Sequence, residues 1–138
     1  MEKSHFVHLH THSHFSHEDG VPSPQELARE ASHLGFSALA LTDHNTLAGI
    51  PSFTEACRQY SIKPIIGCEL NILPFQMRIP AIGAAADKPF HHATLIVRNK
   101  QGFFNLIKLV SRAHKNSDDG EPFIAFDDLG ESAEGLIF

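Results

Sequence analysis

Four apolar residues followed by a polar triplet, Ala38-Leu39-Ala40-Leu41-Thr42-Asp43-His44, decide the fold class of this chain. A short continuous apolar run is typical of a strand that is buried on both faces. A second run, Lys63-Pro64-Ile65-Ile66-Gly67-Cys68-Glu69, has the same form and also ends in a polar group. Such strands are typical of α/β proteins, whose functional sites lie at the carboxyl ends of parallel strands.

Helical patterns separate these strands. Ser23-Pro24-Gln25-Glu26 is a capping box with proline at the first helical position, and Gly35 is a suitable stop. A second helix is predicted to begin between Thr46 and Pro51, and a third to run from about Gln101 to Ala113. The side chains predicted to face inward are Leu27, Ala31 and Leu34 in the first helix, Phe53, Ala56, Cys57 and Tyr60 in the second, and Phe103, Ile107 and Val110 in the third.

Further strands are predicted at Phe6–His10, Ala93–Val97 and Leu136–Phe138, and loops at residues 73–91 and 116–120. The alternation of strands and helices predicts an α/β fold with a parallel sheet, either a barrel or a doubly wound sheet. One polar group does not fit, because His92 falls at the start of its predicted strand and not at the carboxyl end.

Composition excludes several classes of protein. Hydrophobic residues make up 42% of the 138 residues, which is enough for a packed core. No apolar run approaches the roughly 18 residues of a membrane span, and no signal peptide opens the chain. Two cysteines are too few for a disulfide-stapled secreted domain, so a cytoplasmic location is expected. A net charge of −5 argues against a broad basic surface for nucleic acid.

Histidine is the unusual component. The chain has 11 histidines, as many as Lys and Arg together, and six of them lie between His5 and His17. His10 and His12 are two apart, so on an extended strand both imidazoles point to one side and can reach one ion. His44 and Glu69 arrive from neighbouring strand ends. Imidazole with carboxylate, and no C-x-x-C pair, favours zinc, manganese or iron at a hydrolytic site.

Four stretches together resemble the PHP (polymerase and histidinol phosphatase) family. They are Phe6–Ser13, Ala38–Asn45, Lys63–Glu69 and Gly102–Ser111, and they contain His8-Leu9-His10-Thr11-His12-Ser13, Leu41-Thr42-Asp43-His44 and Ile66-Gly67-Cys68-Glu69. The last stretch makes the resemblance closer to the PHP domains at the N-terminus of bacterial DNA polymerase III alpha subunits than to free-standing phosphatases of the family.

The resemblance implies a fold and an activity. The fold would be the N-terminal part of a distorted seven-stranded β/α, TIM-like barrel, with residues 1–138 forming about the first half of a PHP domain without its later strands. The activity would be metal-dependent phosphoester hydrolysis with up to three divalent ions, of the 3′–5′ exonuclease kind that suits proofreading. The partners would be DNA, reached through a parent polymerase, and other replicase subunits, with no membrane.

The resemblance also assigns residues. His10, His12, His44 and Glu69 would form the catalytic metal centre, with Asp19 and His92 as further ligands and Glu69 as a bridge between ions. The alternates and supporting groups are His8, His17, Glu18 and Asp43. Asp43 would either orient His44 or touch metal itself, and which of Asp19, Glu18 and His17 is the third ligand stays open. His17 and Glu18 stand where this branch of the family usually has apolar residues.

Two functions remain open for the chain. The first is an enzymatic domain of a replicative polymerase, with the activity of this part alone left undecided. The second is a non-catalytic PHP scaffold or fragment, and a free-standing PHP phosphatase is a third reading that Gly102–Ser111 disfavours. Half of a barrel would expose an unpaired strand edge, which predicts self-association.

Overall fold

A computed structural model of the chain describes residues 6–17, 19–73, 90–117 and 120–138. Its helices and strands alternate through most of these ranges. The helices are α1 (Pro24–His33), α2 (Ile50–Gln59), α3 (Lys100–Lys115) and α4 (Phe126–Glu131). The strands are β1 (Ala38–Leu41), β2 (Lys63–Leu73), β3 (His91–Val97), β4 (Ile124–Ala125) and β5 (Leu136–Ile137).

The strands form one mixed sheet in the order β1-β2-β3-β5, with β4 paired to β2. β1 runs parallel to β2 from Ala38↔Lys63 onward, and β4 is also parallel to β2. β3 is antiparallel to β2, and β5 is antiparallel to β3. The expectation of a purely parallel sheet is therefore wrong for β3 and β5. No helical pattern separates β2 from β3 in the sequence, and a parallel crossover requires a long connection that is usually a helix.

Local signals account for most element boundaries. The Ser23–Glu26 capping box forms, with Ser23 accepting a hydrogen bond from the Glu26 backbone N–H. Gly35 adopts φ +79°, the left-handed conformation in which glycine avoids a Cβ penalty, and α1 ends before it. β1 spans the predicted apolar run, and α2 begins within the predicted interval with Pro51 in its first turn.

The core has two hydrophobic clusters. One cluster joins α1 and α2 to β1 and includes the fully buried Phe53 and Leu41. The other joins α3 to β2 and β3 and includes Leu70, Leu95 and Leu106. Packing helices against both clusters leaves the carboxyl end of β1 and the middle of β2 fixed by buried side chains.

The buried face of α3 differs from the predicted one. Leu106, Leu109 and Ala113 are buried with Val110, whereas Ile107 is 38% exposed and Phe103 is half-buried. A contact at the start of the helix sets this rotation, because a Cβ at Gly102 would lie 1.8 Å from the carbonyl oxygen of Gly135. Asn105 is also buried, and its side-chain N–H donates to the Glu134 carbonyl over 2.8 Å.

Three other expectations need correction or fall outside the described residues. The segment Phe6–His10 forms only an isolated bridge, His8↔Leu39, in which the Ala40 N–H donates to the His8 carbonyl over 2.9 Å. Leu34 is exposed, since α1 has already ended at His33. The predicted loop at 73–91 begins and ends in strand residues, and 74–89 lies outside the described residues, as do 118 and 119 of the loop predicted at 116–120.

Candidate metal centre

Glu69 is the centre of a cluster of imidazoles. It lies in β2, is 5% exposed, and its two carboxylate oxygens face different histidines. Glu69 Oε2 contacts His10 Nε2 and lies 3.1 Å from His12 Nε2. The two Nε2 atoms are 2.9 Å apart. The prediction that His10 and His12 point to one side is confirmed, since both rings converge on one carboxylate oxygen.

The other oxygen of Glu69 faces a second pair of rings. Glu69 Oε1 lies 2.8 Å from His92 Nδ1 and 3.9 Å from His44 Nδ1. The antiparallel direction of β3 explains why His92 belongs here although it starts its strand. His92 pairs with Asn71 in the register, two residues beyond Glu69 on β2. The start of β3 therefore adjoins the same end of the sheet as the last residues of β1.

Asp19 and His44 form a third contact at the edge of this cluster. His44 Nε2 lies 2.8 Å from Asp19 Oδ2, so each ring nitrogen of His44 faces a different carboxylate. Among the described residues, the groups of three convergent ligands are His10, His12 and Glu69, and His44, Glu69 and His92, so neither His17 nor His8 takes part in one. Glu18, the other alternate, lies outside the described residues.

Hydrogen bonds to β2 and α3 hold the backbone on either side of His44. The Glu69 N–H donates to the Asp43 carbonyl over 3.1 Å, and the Asn45 N–H donates to the Glu69 carbonyl over 2.8 Å. Asn45 has φ +52°, and its side-chain oxygen accepts from the Asn71 N–H at 3.0 Å. His114 Nε2 lies 2.8 Å from the Asn45 carbonyl oxygen and so donates to it.

Sequence analysis missed Asn45, Asn71 and His114 as supports of the site. Asn45 carries the only local signal, because asparagine is enriched among non-glycine residues with positive φ. No sequence pattern around His114 predicts that α3 contacts the loop after β1.

Asp43 acts on the turn after His12. Its carboxylate is 2% exposed and accepts from the Ser13 N–H (2.6 Å), the Ser13 hydroxyl (2.8 Å) and the Ser16 hydroxyl (2.9 Å). These contacts organise residues 13–16, and Ser16 in turn accepts from the His44 backbone N–H over 3.0 Å. A direct role of Asp43 in orienting the His44 ring or in touching metal stays a prediction. His8, another expected supporting group, packs its ring against Phe6 and Phe36.

Electrostatics keep the central groups unprotonated near neutral pH. Burial raises the pKa of Glu69, but hydrogen bonds from His10 and His92 and the charge of His44 outweigh it, so the net pKa is lowered. Burial, and then the neighbouring His44, lowers the pKa of His12. Burial raises the pKa of the Cys68 thiol to about 12, so this neighbour of Glu69 stays a neutral thiol and an unsuitable ligand.

The donor set fits divalent metal ions. In each group of three, ligand atoms of the imidazole and carboxylate kind lie within 4.8 Å of one another. Imidazole and carboxylate together suit zinc, manganese and iron. Because Glu69 belongs to both groups through different oxygens, it could serve two ions at once. His44, with one unprotonated nitrogen, could serve either the second group or a further ion together with Asp19.

Comparison with known proteins places the chain in a family. The PHP domain family matches residues 8–138, so the chain belongs to the PHP family. It is homologous to DNA polymerase III alpha subunits, with 39% identity over 137 residues to that of Treponema pallidum, covering 99% of this chain. An error-prone DNA polymerase of Mycobacterium bovis is 35% identical over 94% of the chain. The chain spans 12% of the length of each of these relatives.

Two solved structures share the fold. A "putative metal-dependent phosphoesterase" from Bifidobacterium adolescentis has a TM-score of 0.56 at 21% identity, covering 83% of this chain and 35% of that one. An amidohydrolase from Chromobacterium violaceum has a TM-score of 0.57 at 21% identity, covering 79% and 33%. The expected family and the expected α/β class are thus confirmed, with a sheet that is mixed and not purely parallel. Among the described residues, no helix is long and apolar enough to cross a membrane.

Proposed function

We propose that this chain is the first half of a PHP domain in a DNA polymerase III alpha-type protein and that it holds divalent metal ions for phosphodiester hydrolysis. The observation that carries the proposal is the divided carboxylate of Glu69, with two imidazoles at each oxygen. The fold would be completed as a distorted β/α barrel by later strands of the parent protein. DNA and other replicase subunits would be its partners, in the cytoplasm.

The ligand roles follow the two halves of the cluster. His10 and His12 would hold one ion with Glu69 Oε2, and His44 and His92 would hold a second with Glu69 Oε1. Because a neutral imidazole has a single unprotonated nitrogen, His44 would serve either that second ion or, through Nε2 and with Asp19, a third one. Zinc, manganese and iron all accept these ligands. When bound, such ions neutralise phosphate charge and lower the pKa of a coordinated water toward 7.

The surroundings of the cluster suit a phosphodiester substrate. His10 and His92 have half-exposed side chains at the two ends of the cluster, while Glu69 is buried beneath them. A substrate can therefore approach from solvent while the bridging carboxylate stays shielded from water. Positive charge concentrated in bound ions would also let a chain of net charge −5 handle a polyanion without a basic surface.

Metal content tests this proposal directly. Wild type, His12→Ala and His33→Ala would be purified without a tag and analysed by plasma mass spectrometry after equilibration with zinc or manganese. His33 is an exposed histidine at the end of α1 and serves as the matched control. We expect at least one equivalent in wild type and His33→Ala and a clear loss in His12→Ala. Equal metal in all three proteins would refute the site.

Activity is tested separately. Metal-loaded protein would be incubated with bis(p-nitrophenyl) phosphate and with a single-stranded oligonucleotide labelled at its 5′ end. Stepwise shortening from the 3′ end, abolished in His12→Ala, is the expected result for an exonuclease. Bound metal without hydrolysis would restrict the enzymatic proposal to the intact parent. No metal at all would favour the alternative of a non-catalytic PHP scaffold.

A further inference from the structure

A buried hydroxyl lies directly behind the metal-facing histidines. Ser16 is fully buried in the turn after His12, and three polar groups surround its side-chain oxygen. Asp43 Oδ1 lies 2.9 Å away, His12 Nδ1 2.9 Å away and the backbone nitrogen of His44 3.0 Å away. This one oxygen therefore touches a residue of each convergent ligand group.

The number of protons available determines which atom donates in each of the three hydrogen bonds of Ser16. A serine hydroxyl has one proton to donate and two lone pairs with which to accept. The His44 backbone N–H can only donate, so it occupies one lone pair. The Asp43 carboxylate can only accept, so it takes the hydroxyl proton; otherwise two acceptor oxygens would face each other in the interior at 2.9 Å. The remaining lone pair must accept from His12, which places a proton on His12 Nδ1.

We infer that Ser16, oriented by Asp43, is a positioning residue that holds His12 in its Nδ1–H tautomer and so presents the unprotonated Nε2 to a metal ion. The inference rests on the proposed function in assigning an ion to Nε2, whereas the proton on Nδ1 follows from the hydrogen bonds of Ser16. His12 Nε2 is the atom that lies 3.1 Å from Glu69 Oε2 and 2.9 Å from His10 Nε2. A proton on that nitrogen would block coordination by it.

Ser13 provides a contrast within the same turn. Its hydroxyl is equally buried and donates to the other oxygen of Asp43 over 2.8 Å. Its other contact is the Phe15 N–H at 3.3 Å, and it reaches neither His12 nor His44. Both serine hydroxyls thus donate to Asp43, but only the Ser16 hydroxyl also contacts a proposed metal ligand, His12. Groups that orient metal-bound histidines in this way typically contribute 10–100-fold in metal affinity.

The test combines nitrogen NMR with metal affinity. Long-range ¹H–¹⁵N spectra of the metal-free protein would be recorded at about pH 8, well above the usual histidine pKa of about 6.5. We expect His12 to carry a proton on Nδ1 in the metal-free protein, where Nε2 faces the Glu69 carboxylate, and to keep it with an unprotonated Nε2 once zinc is added. Ser16→Ala should lose the fixed proton on Nδ1 and bind zinc about 10–100-fold more weakly by competition with a chelating dye. Ser13→Ala, matched in burial and in its bond to Asp43, should keep both properties.

The outcomes separate this inference from the proposed function. An unprotonated Nδ1 on His12 in wild type would overturn the inference without any variant, so a folding defect in Ser16→Ala does not decide the matter. Zinc affinity equal in Ser16→Ala and wild type would also overturn it. Failure of wild type to bind zinc, with the Nδ1–H tautomer present and lost in Ser16→Ala, would refute the metal proposal while supporting the tautomer assignment.

Discussion

Replacing Asn45 should measure how much its side-chain hydrogen bond to Asn71 contributes to the stability of the loop after His44. Asn45 combines a left-handed backbone, φ +52°, with a side-chain oxygen that accepts from the Asn71 N–H at 3.0 Å. Asn45→Gly keeps the backbone conformation accessible but removes the acceptor. Both residues are buried, so the Asn71 N–H would be left without its partner, at a cost of about 1–3 kcal/mol.

Ser61→Gly is the matched control. Ser61 also has positive φ, +57°, but it is exposed. Glycine relieves about 1–2 kcal/mol of left-handed strain there and loses about 0.5–1 kcal/mol through the greater freedom of the unfolded chain. We therefore expect Ser61→Gly to be neutral or stabilising by up to about 1.5 kcal/mol. Asparagine tolerates the left-handed conformation better than serine, so Asn45→Gly gains little relief and should destabilise by about 1–3 kcal/mol through its lost hydrogen bond.

Urea unfolding followed by circular dichroism measures both variants, and Asn45→Ala adds a third. Alanine lacks the acceptor and also pays the left-handed penalty, so it should be the least stable of the three. For a chain of this size, each kcal/mol corresponds to roughly 3–5 °C in Tm. Equal stability of Asn45→Gly and Ser61→Gly would refute the reasoning, since the bond to Asn71 would then contribute nothing.

Four further predictions concern pH, thiol chemistry, close packing and assembly. Glu69 and His12 have lowered pKa values in the folded protein, so the unfolded chain takes up protons first on acidification. The stability that these two groups contribute is complete above about pH 6.5 and is lost as pH falls through their folded pKa values. Urea midpoints measured at about pH 7.5 and pH 5 should show the decrease. The two cysteines, with pKa values raised by burial to about 11 and about 12, should not react with Ellman's reagent at pH 8 until the protein is unfolded. Gly102→Ala should destabilise by roughly 3 kcal/mol or more because its Cβ would overlap a carbonyl oxygen, whereas Gly130→Ala, with no atom within 4 Å, should be neutral or stabilising in a thermal melt. Light scattering at micromolar concentration should show self-association through the exposed sheet edge at β5, and a monomer would contradict it.

Local signals explain which parts of the fold were predictable. The capping box at Ser23 and the left-handed stop at Gly35 act within a few residues, and the apolar run of β1 is buried whatever its neighbours are. The direction of β3 is different, because nothing within Ala93–Val97 encodes whether the strand runs with or against β2. The signal that the sequence offered was the absence of a helical pattern between β2 and β3.

The residues of the candidate site likewise divide into those that the sequence could group and those that it could not. His10, His12, His44 and Glu69 could be grouped in advance because strand ends in α/β folds meet at one edge. His92 could be assigned only by resemblance, since its place depends on the antiparallel pairing. The partners of Asp43 could not be predicted, because they lie in a turn about 30 residues earlier in the chain and that turn has no regular periodicity.

The cluster around Glu69 joins chain segments that are far apart in sequence. His10 lies 59 residues before Glu69 and His92 lies 23 residues after it. Only the folded chain holds these atoms together, so an ion bound by all of them favours the folded state. Folding and metal loading are then coupled equilibria, and an ion at one hundred times its dissociation constant would add up to about 2.7 kcal/mol of stability. The abundance of the folded protein in a cell would accordingly depend on the supply of metal.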